Sequence, residues 1–229
     1  MKKHLFLILI PVLALLSACG EQVETISQAE AAELVENATV ANTEGYVSQV
    51  EDISGLLLAF LDNCNETRDS SISRSGSQGN VSYNWNFDWS WSLACSNVGV
   101  PQSFSASYSG SGDYSTLRIT SDDEFSGSFT VSGLQPSAGN WVYSGSYSRT
   151  GSQVFDGQRR DRDVSSVITV STTNLNVSKS SQEIVSGTSD ISVSGSVNGS
   201  AFSYTGTLVF NGNRTGTLTI NGSSYNISW

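Results

Sequence analysis

The stretch VSYNWNFDWSWSLAC, residues 81–95, sets Val81, Tyr83, Trp85, Phe87, Trp89, Trp91, Leu93 and Cys95 on one parity. Ser82, Asn84, Asn86, Asp88, Ser90 and Ser92 fall on the other. Strict alternation is the period of a β-strand with one apolar and one wet face. The rings are then either the inner wall of a core or a platform for a ligand.

Working outward, the period of two begins near Arg68 and continues to the end of the chain. Ser, Gly, Thr and Asn dominate, and turn signals recur, so residues 68–229 read as one antiparallel β domain. Asn-Gly pairs at 198–199, 211–212 and 221–222, and Asp156-Gly157, stand between alternating runs as type I′ hairpin turns, whose central residues need positive φ. The final strands are expected at 190–197, 202–210, 214–220 and 224–229.

A short repeat runs through these strands. Phe125-Ser-Gly-Ser-Phe129, Tyr143-Ser-Gly-Ser-Tyr147, Val193-Ser-Gly-Ser-Val197 and Tyr204-Thr-Gly-Thr-Leu208 each put Gly on the face of their large residues. Glycine inside a strand is costly, so it implies sharp curvature or close approach to the backbone. A hairpin centred on Pro136 would set Gly127 opposite Gly145, Phe129 opposite Tyr143, Val131 opposite Trp141 and Phe125 opposite Tyr147.

Ahead of the strands the period is helical. Ser27-Gln28-Ala29-Glu30 has the form of a capping box. Tyr46, Val50, Ile53, Leu57, Phe60 or Leu61, and Cys64 then recur at steps of three and four, interrupted only by Gly55. The expected fold is therefore all-β with an N-terminal helical segment over 28–64. It is a large curved antiparallel up-and-down meander or incomplete barrel, with the amphipathic helix on its concave face; a β-sandwich is the alternative.

The chain begins Met1-Lys2-Lys3, followed by an apolar run from Leu5 to Leu16 that is too short to span a bilayer. Leu16-Ser17-Ala18-Cys19 resembles the lipobox of bacterial lipoproteins. The resemblance covers the first nineteen residues only. It implies that residues 1–18 are a removed signal peptide and that Cys19 becomes the acylated N-terminus, with 19–27 as a tether. Gly20 in place of Asp implies sorting to the outer membrane, with the leaflet left open. Several acyl chains, at about 0.8 kcal/mol per buried methylene, would hold such a protein on a membrane.

Cleavage at that point would leave nine basic residues against 21 acidic, a net charge near −12. Nucleic acid is an unsuitable partner for such a chain. It would also remove the sole histidine, His4, and with it Ser-His-Asp, Cys-His and His-ligated zinc chemistry. In an oxidising compartment Cys64 and Cys95 have only each other to pair with. That bond would lay the greasy face of the helix on the greasy face of strand 81–95, which makes the rings core. The platform reading stays open because the rings are many and their indole N–H groups want polar partners.

Other clusters carry less. Ser121-Asp122-Asp123-Glu124, with Asp113 nearby, lacks the ligand pattern of a calcium loop and reads as a solvated turn. Gln158-Arg159-Arg160-Asp161-Arg162-Asp163 reads as a solvated hairpin tip. The expectation is a non-enzymatic, lipid-anchored envelope protein without metal or cofactor. It would bind an apolar or amphipathic ligand in a groove formed by Trp85, Trp89, Trp91, Trp141 and Tyr143. In outline it is similar to the incomplete barrels of periplasmic lipid-carrying lipoproteins, a likeness of architecture alone. The alternatives are a surface adhesin or glycan-binding module, and a structural envelope protein.

Overall fold

A computed structural model describes residues 25–40, 43–156 and 162–229. Two helices come first, α1 (Gln28–Thr39) and α2 (Tyr46–Phe60). Ten strands follow: β1 (Thr67–Gln78), β2 (Val81–Cys95), β3 (Pro101–Ser115), β4 (Ile119–Ser132), β5 (Asn140–Phe155), β6 (Arg162–Ser178), β7 (Ile184–Val197), β8 (Ser200–Gly212), β9 (Thr215–Ile220) and β10 (Ser223–Ser228). Each strand pairs antiparallel with the next, and β10 does not pair back to β1. This is the open up-and-down meander expected from the alternation, and a single sheet leaves nothing for a sandwich.

The helices form where the sequence places them. Ser27 Oγ accepts the Glu30 N–H at 3.2 Å while the Glu30 carboxylate accepts the Ser27 N–H at 2.8 Å, so the capping box closes at the start of α1. Along α2, Tyr46, Val50, Ile53, Leu57 and Phe60 are buried, whereas Gly55 faces solvent. Cys64 lies just past the helix and is bonded to Cys95 with their Cα atoms 5.4 Å apart. Closing a loop of this length stabilises the fold by about 3–4 kcal/mol on the chain-entropy model.

Curvature can be read from one ring. Tyr46 lies 5.9 Å from Phe129 on β4, 6.2 Å from Tyr147 on β5 and 6.0 Å from Phe210 on β8. In a flat sheet β4 and β8 would stand roughly 19 Å apart, at about 4.8 Å per strand. The sheet therefore bends around α2, and both helices share one core cluster with its inner face. The turns after β1, β3, β7 and β9 gather at one end, here the Asn-Gly end. Those after β2, β4, β6 and β8 gather at the opposite, disulfide end, beside Cys64 and Cys95.

Gly127 and Gly145 face rings rather than each other. Gly127 pairs with Tyr147, Phe129 with Gly145, Val131 with Tyr143 and Phe125 with Arg149, two residues out of the register expected from a turn at Pro136. Gly133, at φ 73°, begins the turn, and Ala138 N–H bonds to Gln135 O, so the hairpin is centred one residue later. Each shift of one at the centre moves the register by two. Both reasons for glycine operate: a Cβ at Gly110 would sit 2.1 Å from Asn86 O and 2.4 Å from Phe125 Cζ.

Two turn assignments also differ. Asn198-Gly199 and Asn221-Gly222 have positive φ at both residues, as a type I′ turn requires. Between β8 and β9, however, the positive-φ pair is Asn213-Arg214, because Gly212 is taken up where the ladder shifts register. Phe155 pairs with Arg162, so Asp156-Gly157 is not a two-residue turn. Residues 157–161, with most of the basic tip, lie outside the described residues.

Gly112→Ala would place a Cβ 2.0 Å from Asn84 O and 2.5 Å from Trp85 Cε3, whereas one at Gly139 meets nothing within 4 Å. The expected losses in urea unfolding are about 2–3 kcal/mol for Gly112→Ala and under about 0.5 kcal/mol for Gly139→Ala.

Candidate functional site

The inner face of β2 to β6, with the two helices set into it, holds every ring that the sequence offers as a ligand contact. Trp85, Trp89, Trp141 and Tyr143 are at most 3% exposed, and so they are core. Only Trp91 is half-buried, edge-on to Phe60 of α2 at 6.2 Å between ring centres. The rings do not make one row of equivalent contacts. Trp85 packs with Tyr114 and Phe125, Trp89 lies 4.6 Å from Tyr108, and Tyr143 shares a 2.6 Å hydrogen bond with Ser54 of α2. An open groove between helix and sheet, as expected from the sequence, is therefore not seen: α2 fills it.

This interior is more polar than a core of its size needs. Trp85 Nε1, Trp89 Nε1, Trp91 Nε1 and Tyr108 OH are buried with no hydrogen-bond partner among the described residues. Leaving such a group unpaired costs about 1–3 kcal/mol each. Burial holds the Tyr46 hydroxyl far above its ordinary pKa, against a smaller opposite pull from Ser189 and Thr172.

A buried charge lies toward the Asn-Gly end. Arg149 on β5 donates to Tyr147 OH at 2.8 Å, to Asn37 O at 3.0 Å and to Thr43 O at 3.0 Å, so it holds the end of α1 and the approach to α2. Its guanidinium stands 5.0 Å from the Trp85 ring centre. Asp123 on β4 lies alongside: Arg149 Nε is 3.8 Å from Oδ2, beyond hydrogen-bond reach. The other oxygen, Oδ1, accepts from Ser121 at 2.6 Å and Gln153 at 3.1 Å. Burial raises the Asp123 pKa, and Arg149 opposes that rise.

The four residues Ser121-Asp122-Asp123-Glu124 are thus the middle of a strand and not a solvated turn. Their alternation sends Asp122 and Glu124 out and Asp123 in. Sequence reading missed the Arg149–Asp123 pair, although parity marks both: Asp123 keeps step with Phe125 and Phe129, and Arg149 with Tyr143 and Tyr147.

Arginines also fasten α2 to both flanks of the opening in the sheet. Arg74 on β1 makes a two-pronged contact with Asp52, at 2.7 and 2.9 Å, and reaches Glu44 at 3.0 Å. Arg214, in the turn after β8, is 3.4 Å from Glu51. The outer face is different. One row runs Asp69, Ser90, Ser107, Ser128, Ser146, Ser171, Asp190, Thr207, Thr219, Ser224 across all ten strands. Asp88, Asp113, Asp122, Glu124 and Asp163 also point outward, and Asp113 directly faces Asp122.

No family model, curated protein or solved structure matches the chain. Among the described residues, no group of three or more His, Cys, Asp or Glu is placed to hold a metal ion. No described helix is long and apolar enough to cross a membrane. Cys19 lies outside the described residues.

Arg149→Met would strip the charge partner from buried Asp123 and the donor from three acceptors, Tyr147 OH, Asn37 O and Thr43 O. The expected loss, read from urea unfolding, is about 3–5 kcal/mol. Asp123→Leu together with Arg149→Met should lose less than the sum of the single changes. Asp123 also predicts a pH effect. A carboxyl with a raised folded pKa contributes stability that is fully present below its unfolded pKa and is lost as pH rises through the folded one. Measured against Asp123→Asn, the unaltered protein should therefore gain stability as pH falls from neutrality through the carboxylate range.

Proposed function

We propose that this chain is a lipid-anchored protein of the bacterial cell envelope, acylated at Cys19 and sorted to the outer membrane, that binds an amphipathic molecule without catalysis. The binding surface is the concave aromatic face. The observation that carries this reading is the set of buried indole and phenol atoms that meet no partner against α2. A molecule with an apolar body and a few polar groups would satisfy them better than a Leu- and Val-rich helix does. Because α1 and α2 occupy that face, binding requires part of this helical cover to move, and affinity is reduced by the free energy of opening.

A glycan module would need rings exposed for stacking, and the four most deeply placed candidates are buried. The membrane is a partner through the N-terminal lipid. The charge balance of the chain, 21 acidic against 11 basic residues, leaves nucleic acid out.

Two measurements test this. The mass of the N-terminal peptide from protein made in a Gram-negative envelope should show acyl chains on Cys19; a free thiol there sinks the anchor. Tryptophan emission of the full protein should be poorly quenched by acrylamide and should change on titration with oleate but not with oligosaccharides. A response to oligosaccharides alone would reject the amphiphile in favour of a glycan.

A further inference from the structure

The helices are held by different means. α2 runs inside the sheet, buries Tyr46, Val50, Ile53, Leu57 and Phe60, and is followed within four residues by the Cys64–Cys95 bond. α1 lies across the Asn-Gly end. Glu30 pairs with Arg162 at the start of β6, and Glu33 pairs with Arg118 in the turn after β3 at 3.0 Å. Gln28 accepts from Ser223 at the start of β10 at 3.0 Å, and Ile26 O accepts from Tyr204 on β8 at 2.6 Å. α1 thus spans that mouth of the curved sheet and is fastened to it largely by polar contacts.

The face that α1 buries is slight. Three of its buried residues are alanines, Ala31, Ala32 and Ala38, with Leu34 and Val35 the only large apolar ones. A helix of twelve residues is marginal without tertiary support. Regions with few apolar contacts open locally at free energies well below global unfolding. Between the helices, Glu44 has φ 53°, a left-handed backbone that a non-glycine residue adopts at a cost and that a swing would relieve.

We infer that α1 is a gate over the Asn-Gly mouth, which leaves as a unit while the disulfide keeps α2 in place, and that an amphiphile enters there. This rests on the ligand reading above. It concerns the mouth that α1 covers, where Ile26 and Gln28 are bonded to β8 and β10. A monoacyl amphiphile is the chemical class that a ring-lined interior with a few unpaired donors would take. The rival entrance is the apolar hollow of about 280 Å³ at the disulfide end, between Leu61, Val100, Pro101, Leu134 and Pro136.

Hydrogen exchange of the full protein without ligand tests the gate independently of binding. Amides of α1 should exchange roughly tenfold faster or more than those of α2. The α1 rate should rise further in the Arg118→Ala, Arg162→Ala double variant, and modestly with salt, which screens the more exposed Arg118–Glu33 pair. Equal exchange of both helices overturns the gate and leaves the ligand reading standing. Stopped-flow uptake of oleate then tests entry: the double variant should take it up several-fold faster, and Val100→Trp should not change the rate. Slower uptake in Val100→Trp alone assigns entry to the disulfide end and overturns the proposal.

Discussion

One β-sheet cannot bury its own apolar face, and the protein depends on how that problem is met. Among the described residues there is no second sheet to pack against. The sheet instead curls until its inner rings close on a helix supplied by the same chain, and Tyr46 touches β4, β5 and β8 at once. Bending and filling are one requirement: without the helix the rings would face water, and without the bend a single helix would cover only the middle strands. The glycines allow the bend because a neighbouring strand's carbonyl oxygen or ring takes the space that a Cβ would have used.

Polar contacts then decide how the filling is held. Arg74 and Arg214 fasten α2 from the two sides of the opening, and the disulfide fixes its far end. Arg149 fastens the connection between the helices from within, at the expense of a buried carboxylate that it does not fully satisfy. Pairs of this kind are weak sources of net stability, since desolvation offsets much of the attraction, but they penalise any arrangement that leaves one partner alone. The result is an interior with one well-defined packing and several unfilled hydrogen-bonding positions.

Much of this was legible in the sequence because two periods carry it. Alternation in 81–95 and the stripe from Tyr46 to Phe60 gave the class of fold, the burial of each face and, through the two cysteines, the contact between them. What was hidden depended on single-residue counts. The β4–β5 register turned on whether the hairpin centre falls at Pro136 or one residue beyond, and Asn211-Gly212 looked like a turn when Gly212 serves the end of the strand. Asp123 and Arg149 were legible by parity but masked by composition, since a run of acids between hydroxyls resembles a solvated turn. The filling of the groove was not legible at all: an apolar stripe shows that a helix seeks cover, and says nothing of whether space remains beside it.

The division of charge between the two faces has a consequence beyond folding. Arg74, Arg149, Arg162 and Arg214 are engaged with the helices or the rims, while Asp69, Asp88, Asp113, Asp122, Glu124, Asp163 and Asp190 look outward. The exterior is thus left negative by the same allocation that secures the interior. Two copies meeting back to back bring like charges together, and that repulsion is a long-range brake on crowding and on edge-to-edge growth of an unclosed sheet.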